Sequence, residues 1–510
     1  MPKLVVRLRA RGSDRYNPGI GALTIRTLPL WLVGAYLAVA PNFDVVGFAA
    51  SYDELRLLQL VVLAAVTVWL VVSPSARRNW LDTFVRLPLW SRGLLAVVAA
   101  GGVASAARAT DPTLGLLEVA HLILLGCLAV AVADVFRREG RRADRLALAS
   151  ISVAAGLFLL DFAVRYAAAM STGAGSPPLP YEAFPAFSNP RFFGQWQTWT
   201  LPVLVAGCLL APAAAWPLRA LTFVVAAGWW ALLLVSGTRG TMVAQAFALL
   251  FVAVAFRGNA RPWLRLQIAA VATGGAIYAV TYLAAVDSWA AFLAMFDHVA
   301  SFTGSGRREL WAAALELIKE NPLLGVGPQN YAYHTAVREA HPHNVLLQWA
   351  SEWGAGSAVV VTITAAAGLA AWLRRALTLA ERPDDRAEGA LACALSAALA
   401  AGGAHAMLSG IIVMPLSQTL AALIVGWALG VHLRAASEPA SDPASLPTHR
   451  LAPALPAVLV CTLAVMLVCA WPSAGKAFFE HHVSADGSDE RFSPRFWRRT
   501  VRTPLPDEHR

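Results

Sequence analysis

Between residues 341 and 356 the chain reads HPHNVLLQWASEWGAG, two histidines, an asparagine and a glutamate at the mouth of a long apolar run. Pro342 disfavours helix at His341, and Asn344 is a good N-cap, so a helix starts there. His343 then stands just ahead of a helix N-terminus, where free N–H groups and the dipole attract an anion. Its imidazole titrates near neutrality and is a candidate general base; His341 is a second one. Asn344, Gln348 and Glu352 share one face at i, i+4 and i+8, and a glutamate one or two turns into a membrane helix needs a partner. Gly354 and Gly356 admit a close neighbour.

Three further segments offer arginines. SGTRG (236–240) places Arg239 in the first turn of a helix capped by Ser236 or Thr238; arginine is the wrong sign for that end of a dipole, and an anionic ligand explains it. GSGRRELW (304–311) puts Arg307 and Arg308 at the start of another helix. SNPRFFGQWQTW (188–199) sets Arg191 among aromatic rings suited to lipid or sugar. Guanidinium groups grip phosphate oxygens in pairs, so the four segments together read as a site for a lipid-linked phosphate beside a histidine base. Taken singly, an interfacial arginine or tryptophan is an ordinary membrane anchor. Asp161 and Arg165 read as an i, i+4 ion pair; Glu118, His121 and His405 sit near helix ends on the same side. With no HExxH, CxxC or DxD motif on this face, neither a metal nor another cofactor is expected.

Helices across a bilayer must position these groups. The chain has 510 residues, is 57% hydrophobic and 14% charged, and its mean hydropathy is +0.56. Apolar runs lie near 27–47, 56–73, 89–107, 114–135, 146–170, 197–213, 216–235, 240–256, 266–285, 345–373, 388–413, 415–433 and 451–471, many long enough to span a membrane. The expectation is an all-α polytopic inner-membrane protein of about 12–13 transmembrane helices. The formal charge of +10 sits largely in short loops on alternate sides. That is the positive-inside pattern rather than a nucleic-acid surface, and it puts the candidate residues outside. The five cysteines fall in apolar runs as packing residues.

The organisation reads as a cytoplasmic start (1–26), helices over 27–285 with an outer loop at 171–196, and a large outer loop at 286–345. C-terminal helices follow (346–471), with a cytoplasmic linker at 435–450, and then a tail (472–510). Within the large loop, RRELWAAALELIKE (307–320) has helical period, with Leu310, Trp311, Ala314 and Leu317 on one face. Asn321-Pro322 ends it, and a glycine turn follows.

The ordered set SGTRG, GRRELW, NPLLGVGPQNY (321–331), HPHN and the E-x-G-x-G of Glu352, Gly354 and Gly356 resembles the O-antigen ligase/polymerase superfamily of bacterial membrane glycosyltransferases. The resemblance covers about 190–360. It implies a GT-C-like enzyme with its site at the periplasmic face, moving a glycan from undecaprenyl diphosphate to lipid A–core, or, in a polymerase, to another lipid-linked repeat, without metal or nucleotide. Carried onto this chain, His343 is the base; Arg191 and Arg239, with Arg307 or Arg308, hold the diphosphate; His341, Asn344 and Glu352 support the base or bind sugar. Ligase is the leading reading. Polymerase is the same-class alternative, and a lipid-linked sugar transporter is the alternative of a different class, disfavoured because no repeat is found and the candidate residues gather near one face.

Overall fold

The computed structural model describes residues 26–43, 45, 51–171, 183–187, 189–212, 214–283, 306–337, 339–382, 385–434 and 453–479. The basic start (1–25), part of each outer loop (172–182 and 286–305), the linker at 435–450 and the tail beyond 479 lie outside the described residues.

The described residues are mostly helical, with no strand among them. In order come α1 (Leu28–Val39), α2 (Ser51–Val72), α3 (Pro74–Val85), α4 (Leu89–Ala106), α5 (Pro112–Glu139) and α6 (Arg141–Ser171). Then follow α7 (Pro190–Leu210), α8 (Trp216–Ser236), α9 (Arg239–Phe256), α10 (Arg261–Thr281) and α11 (Arg307–Glu320). The last five are α12 (Val345–Trp353), α13 (Ala355–Ala380), α14 (Arg386–Ala406), α15 (Pro415–Arg434) and α16 (Ala454–Phe479). Ten stretches among the described residues are long and apolar enough to cross a membrane. The chain is an all-α polytopic membrane protein.

Ten is fewer than the 12–13 expected, for local reasons. α1 is described over only 12 residues. α7 carries Gln195, Gln197, Thr198 and Thr200 and is too polar to be counted. α9 and α10 form one apolar stretch interrupted by a 3-10 turn at Arg257–Ala260. The run at 345–373, read as one helix, is broken at Gly354 into α12 and α13, which leaves the count unchanged because α13 alone is long enough to span.

The buried centre is built by α5 against α15 and by α7 against α8 and α14. α7 is almost wholly buried despite its glutamines, whose amide nitrogens find partners: Gln197 Nε2 donates to the Trp229 carbonyl at 2.6 Å and Gln195 Nε2 to Ser409 Oγ at 3.1 Å. The side-chain oxygens of both are buried and accept no bond among the described residues, so only the donor half of each amide is satisfied. Phe193 stacks on Phe184 and Phe158 at 4.4 and 4.9 Å, with Trp196 and Trp229 edge-on. The aromatic residues after Arg191 are therefore mostly core: Phe193, Trp196 and Trp199 are buried rather than presented to lipid or sugar.

The two ends of the bundle differ in chemistry. At one, Arg137 joins Asp82 and Asp134, and Arg434 grips Asp144 with two bonds at 2.8 and 2.9 Å. Asp82 lies on α3, a short amphipathic helix between the apolar runs at 56–73 and 89–107. At the other end lie the N-termini of α7, α9, α11 and α12 and the C-terminus of α14. Asp161 and Arg165 form the expected ion pair at 2.8 Å.

Candidate active site

Arg191 is the second residue of α7, whose N-cap Asn189 accepts the Arg191 N–H at 2.9 Å. The helix begins earlier than the apolar run at 197 implied, so Arg191 is held on a rigid element rather than a loop. Arg239 opens α9 behind Thr238. Arg307 opens α11 behind Gly306, with Leu310, Ala314 and Leu317 turned inward as the periodicity required.

These segments converge. Burial first, then the positive charges of Arg191 and Arg239, lower the pKa of Arg307. His343 feels Arg191 and Arg307; burial first, then those two charges, lower its pKa from 6.5 to about 4. The imidazole is thus neutral at physiological pH, with its lone pair available. Arg307 and not Arg308 is the member of the pair that reaches His343; Arg308 is exposed. Neither Arg191 nor Arg307 meets a carboxylate among the described residues. Like charges held together are unfavourable unless an anion joins them.

The HPHN segment is clamped from three sides. Trp311 Nε1 of α11 donates to the Pro342 carbonyl at 3.1 Å, and Asn344 Nδ2 donates to the Met407 carbonyl at 3.2 Å. The Asn344 side chain caps α12, accepting from Leu346 N and Leu347 N at 3.0 and 3.1 Å. His341 packs on Gly410, where an added Cβ would lie 2.2 Å from the ring. So fixed, His343 takes a φ of +54°, a conformation that costs a non-glycine residue about 1 kcal/mol or more. Such strain persists only where the surroundings impose it. His341, Asn344 and Glu352 are all buried, with 3%, 8% and 0% of their surface exposed, and are less open to a ligand than the half-buried His343.

The NPLLGVGPQNY motif does more than turn. Val326 N and Gly327 N donate to the Ser351 and Glu352 carbonyls at 2.9 and 3.0 Å, and Ser105 Oγ donates to the Glu352 carbonyl at 3.0 Å, capping the end of α12. Asn330 exchanges bonds with the Asp111 backbone at 2.8 and 3.1 Å, and Gln329 Nε2 donates to Glu118 Oε2 at 2.8 Å. Gly354 (φ +85°) stands where a Cβ would fall 2.0 Å from the Leu323 carbonyl oxygen, so its close neighbour is this loop rather than a helix; Gly356 faces open space.

Two features escaped the sequence. The 407–414 loop, which supports Asn344, His341 and Gln195, contains no residue type that signals chemistry. Behind it Arg56 of α2 is 1% exposed and donates to Val413 O, Gln418 Oε1 and Gln59 Oε1 at 2.7, 2.6 and 2.6 Å. An arginine at the start of an apolar run with a glutamine three residues on was the available signal. His405 is buried between Thr198 Oγ1 (2.7 Å from Nδ1) and Gly240, within electrostatic reach of Arg307. Among the described residues no group of three or more His, Cys, Asp or Glu is gathered for a metal ion.

Residues 221–362 match the family model described as O-antigen ligase, a window that contains Arg239, Arg307 and His343 but not Arg191. No curated protein matches the chain.

Proposed function

We infer that this multi-pass membrane protein is of the O-antigen ligase type and has ligase- or polymerase-family function on lipid-linked glycans, a reading that the match over 221–362 supports. We propose that the chain is an O-antigen ligase of the inner membrane. It transfers O-antigen polysaccharide from undecaprenyl diphosphate to a sugar hydroxyl of lipid A–core at the periplasmic face, through a GT-C-type, metal-independent and inverting mechanism. The observation that carries this reading is the gathering of Arg191 and Arg239 about Arg307, with Arg191 and Arg307 acting in turn on a neutral His343.

In the proposed step the acceptor hydroxyl gives its proton to the His343 imidazole as its oxygen attacks the anomeric carbon. The glycosyl–oxygen bond to the diphosphate breaks on the opposite face, so the configuration inverts. Undecaprenyl diphosphate departs with the bonding electron pair, its added charge met by the three guanidinium groups. Arriving diphosphate offsets the arginine field at His343 and raises its basicity when substrate is in place. His341 and Asn344 hold the base, while Glu352 is buried further along α12.

The test is reconstituted transfer with purified protein, undecaprenyl-diphosphate glycan and lipid A–core, with EDTA and no nucleotide. Glycan appearing on lipid A–core supports the ligase. Longer undecaprenyl-linked chains alone would assign a polymerase. Substrate-driven flux with neither product would assign a transporter.

A further inference from the structure

At the end of the bundle away from the arginine cluster, a cavity of about 210 Å³ opens among α6, α7, α14 and α15. Arg141, Arg145 and Arg434 line it with Asp144 and Glu388, and Leu210 and Leu391 supply apolar wall. It cannot belong to the site already described. Glu388 and His405 lie 17 residues apart on α14, about 26 Å at 1.5 Å per residue.

The charges in this cavity are unequal in what they already hold. Arg434 is committed to Asp144 through two bonds, and Arg141 pairs with Asp385. Arg145 is exposed and has no partner among the described residues. It also heads a stripe. Four and eight residues on, Ala149 and Val153 share its face of α6 and are exposed, followed by Leu160 and Val164. On α8, which packs against α6, Leu218, Leu221 and Val224 are 55–62% exposed. Apolar side chains so exposed on membrane helices face acyl chains. Arg145 to Val153 spans about 12 Å, close to one leaflet's hydrocarbon depth of roughly 15 Å.

We propose that this cavity binds the phosphate of an anionic phospholipid, with Arg145 as its principal ligand and the acyl chains lying along the α6 and α8 stripes. A guanidinium suits phosphate oxygens, and a basic notch between membrane helices on the positively charged side is a setting for anionic headgroups. The continuity of the notch with the apolar stripes favours a lipid over a free ion. This site is separate from the glycan chemistry and stands whichever activity the other end has.

The experiment is native mass spectrometry of the full-length protein in detergent with added phosphatidylglycerol or phosphatidylcholine. Wild type should retain phosphatidylglycerol at least fivefold better than phosphatidylcholine, and Arg145→Glu should bring the two level. Arg145→Gln, which introduces no negative charge, should fall between them and reads the site even if the glutamate variant folds poorly. Equal retention of the two lipids by wild type, or undiminished phosphatidylglycerol in both variants, overturns the proposal. Loss of phosphatidylglycerol adducts to millimolar inorganic phosphate would make this a free-anion site and overturn the lipid assignment.

Discussion

The backbone N–H of His343 donates to Nδ1 of His341 at 3.3 Å, and the two rings meet edge to face with centroids 4.3 Å apart. An Nδ1 that accepts carries no proton there, so His341 is the Nε2-protonated tautomer or it loses this bond. Its Nε2 is turned onto Gly410. The His341 ring thus holds the backbone at which His343 stands, and under the proposed mechanism only His343 takes the proton. In the transfer assay, His343→Ala should lower turnover by about 10²–10⁴-fold while donor binding survives, the range for loss of a general base. His341→Asn, whose side-chain oxygen can accept the same N–H, should lose about tenfold or less. Equal losses would return His341 to candidacy as the base.

The pH profile follows from the same site. Only neutral His343 can take the acceptor's proton, and burial with the charges of Arg191 and Arg307 lowers its pKa to about 4. Since the folded value lies below the ordinary one, activity governed by free enzyme should be level from pH 6 to 8 and fall only towards pH 4. Removing one positive charge makes protonation easier, so Arg191→Gln should move the acid limb of kcat/KM to higher pH. A limb that moves lower, or a wild-type limb near 6.5, would contradict this account of the field.

Arg307 and Arg308 are adjacent in sequence but not in consequence. The first faces Arg191, Arg239 and His343; the second is exposed. Arg307→Ala should weaken donor binding by about tenfold to a hundredfold, the value of one or two charge-assisted hydrogen bonds. Arg308→Ala should change it by less than threefold. The reverse order, measured with labelled undecaprenyl-diphosphate glycan, would show that α11 rotates on binding.

The sequence made the locally encoded parts legible. α11 covers Arg307–Glu320 as its periodicity required, and Asn344 caps α12 as its type required, since both depend on residues within a few positions. The break at Gly354 was not legible, because it depends on the Leu323 carbonyl lying where helix would continue. Nor was the burial of Phe193 and Trp196: their spacing fits a membrane belt as well as a core, and only packing against Phe158, Phe184 and Trp229 decides between them. The partners of Arg56 on α15 and its preceding loop, such as Gln418, lie more than 350 positions away along the chain, beyond any local pattern.

Three glycines near the motif test how that packing holds the base. Gly356 faces open space, so Gly356→Ala on a helix should leave the thermal midpoint unchanged or slightly raised. Gly354→Ala meets both a positive φ of +85° and the Leu323 carbonyl, and should destabilise by about 1–3 kcal/mol or more, read as a lower midpoint. Gly410→Ala is the informative one. Its new methyl must displace the His341 ring, which would release the N–H of His343 and relax its strained backbone. The expected result is a modest change in midpoint with a loss of turnover approaching that of His343→Ala, and donor affinity within threefold of wild type. Full activity in Gly410→Ala would mean that the ring can move without disturbing His343, and the backbone clamp would then be structural only.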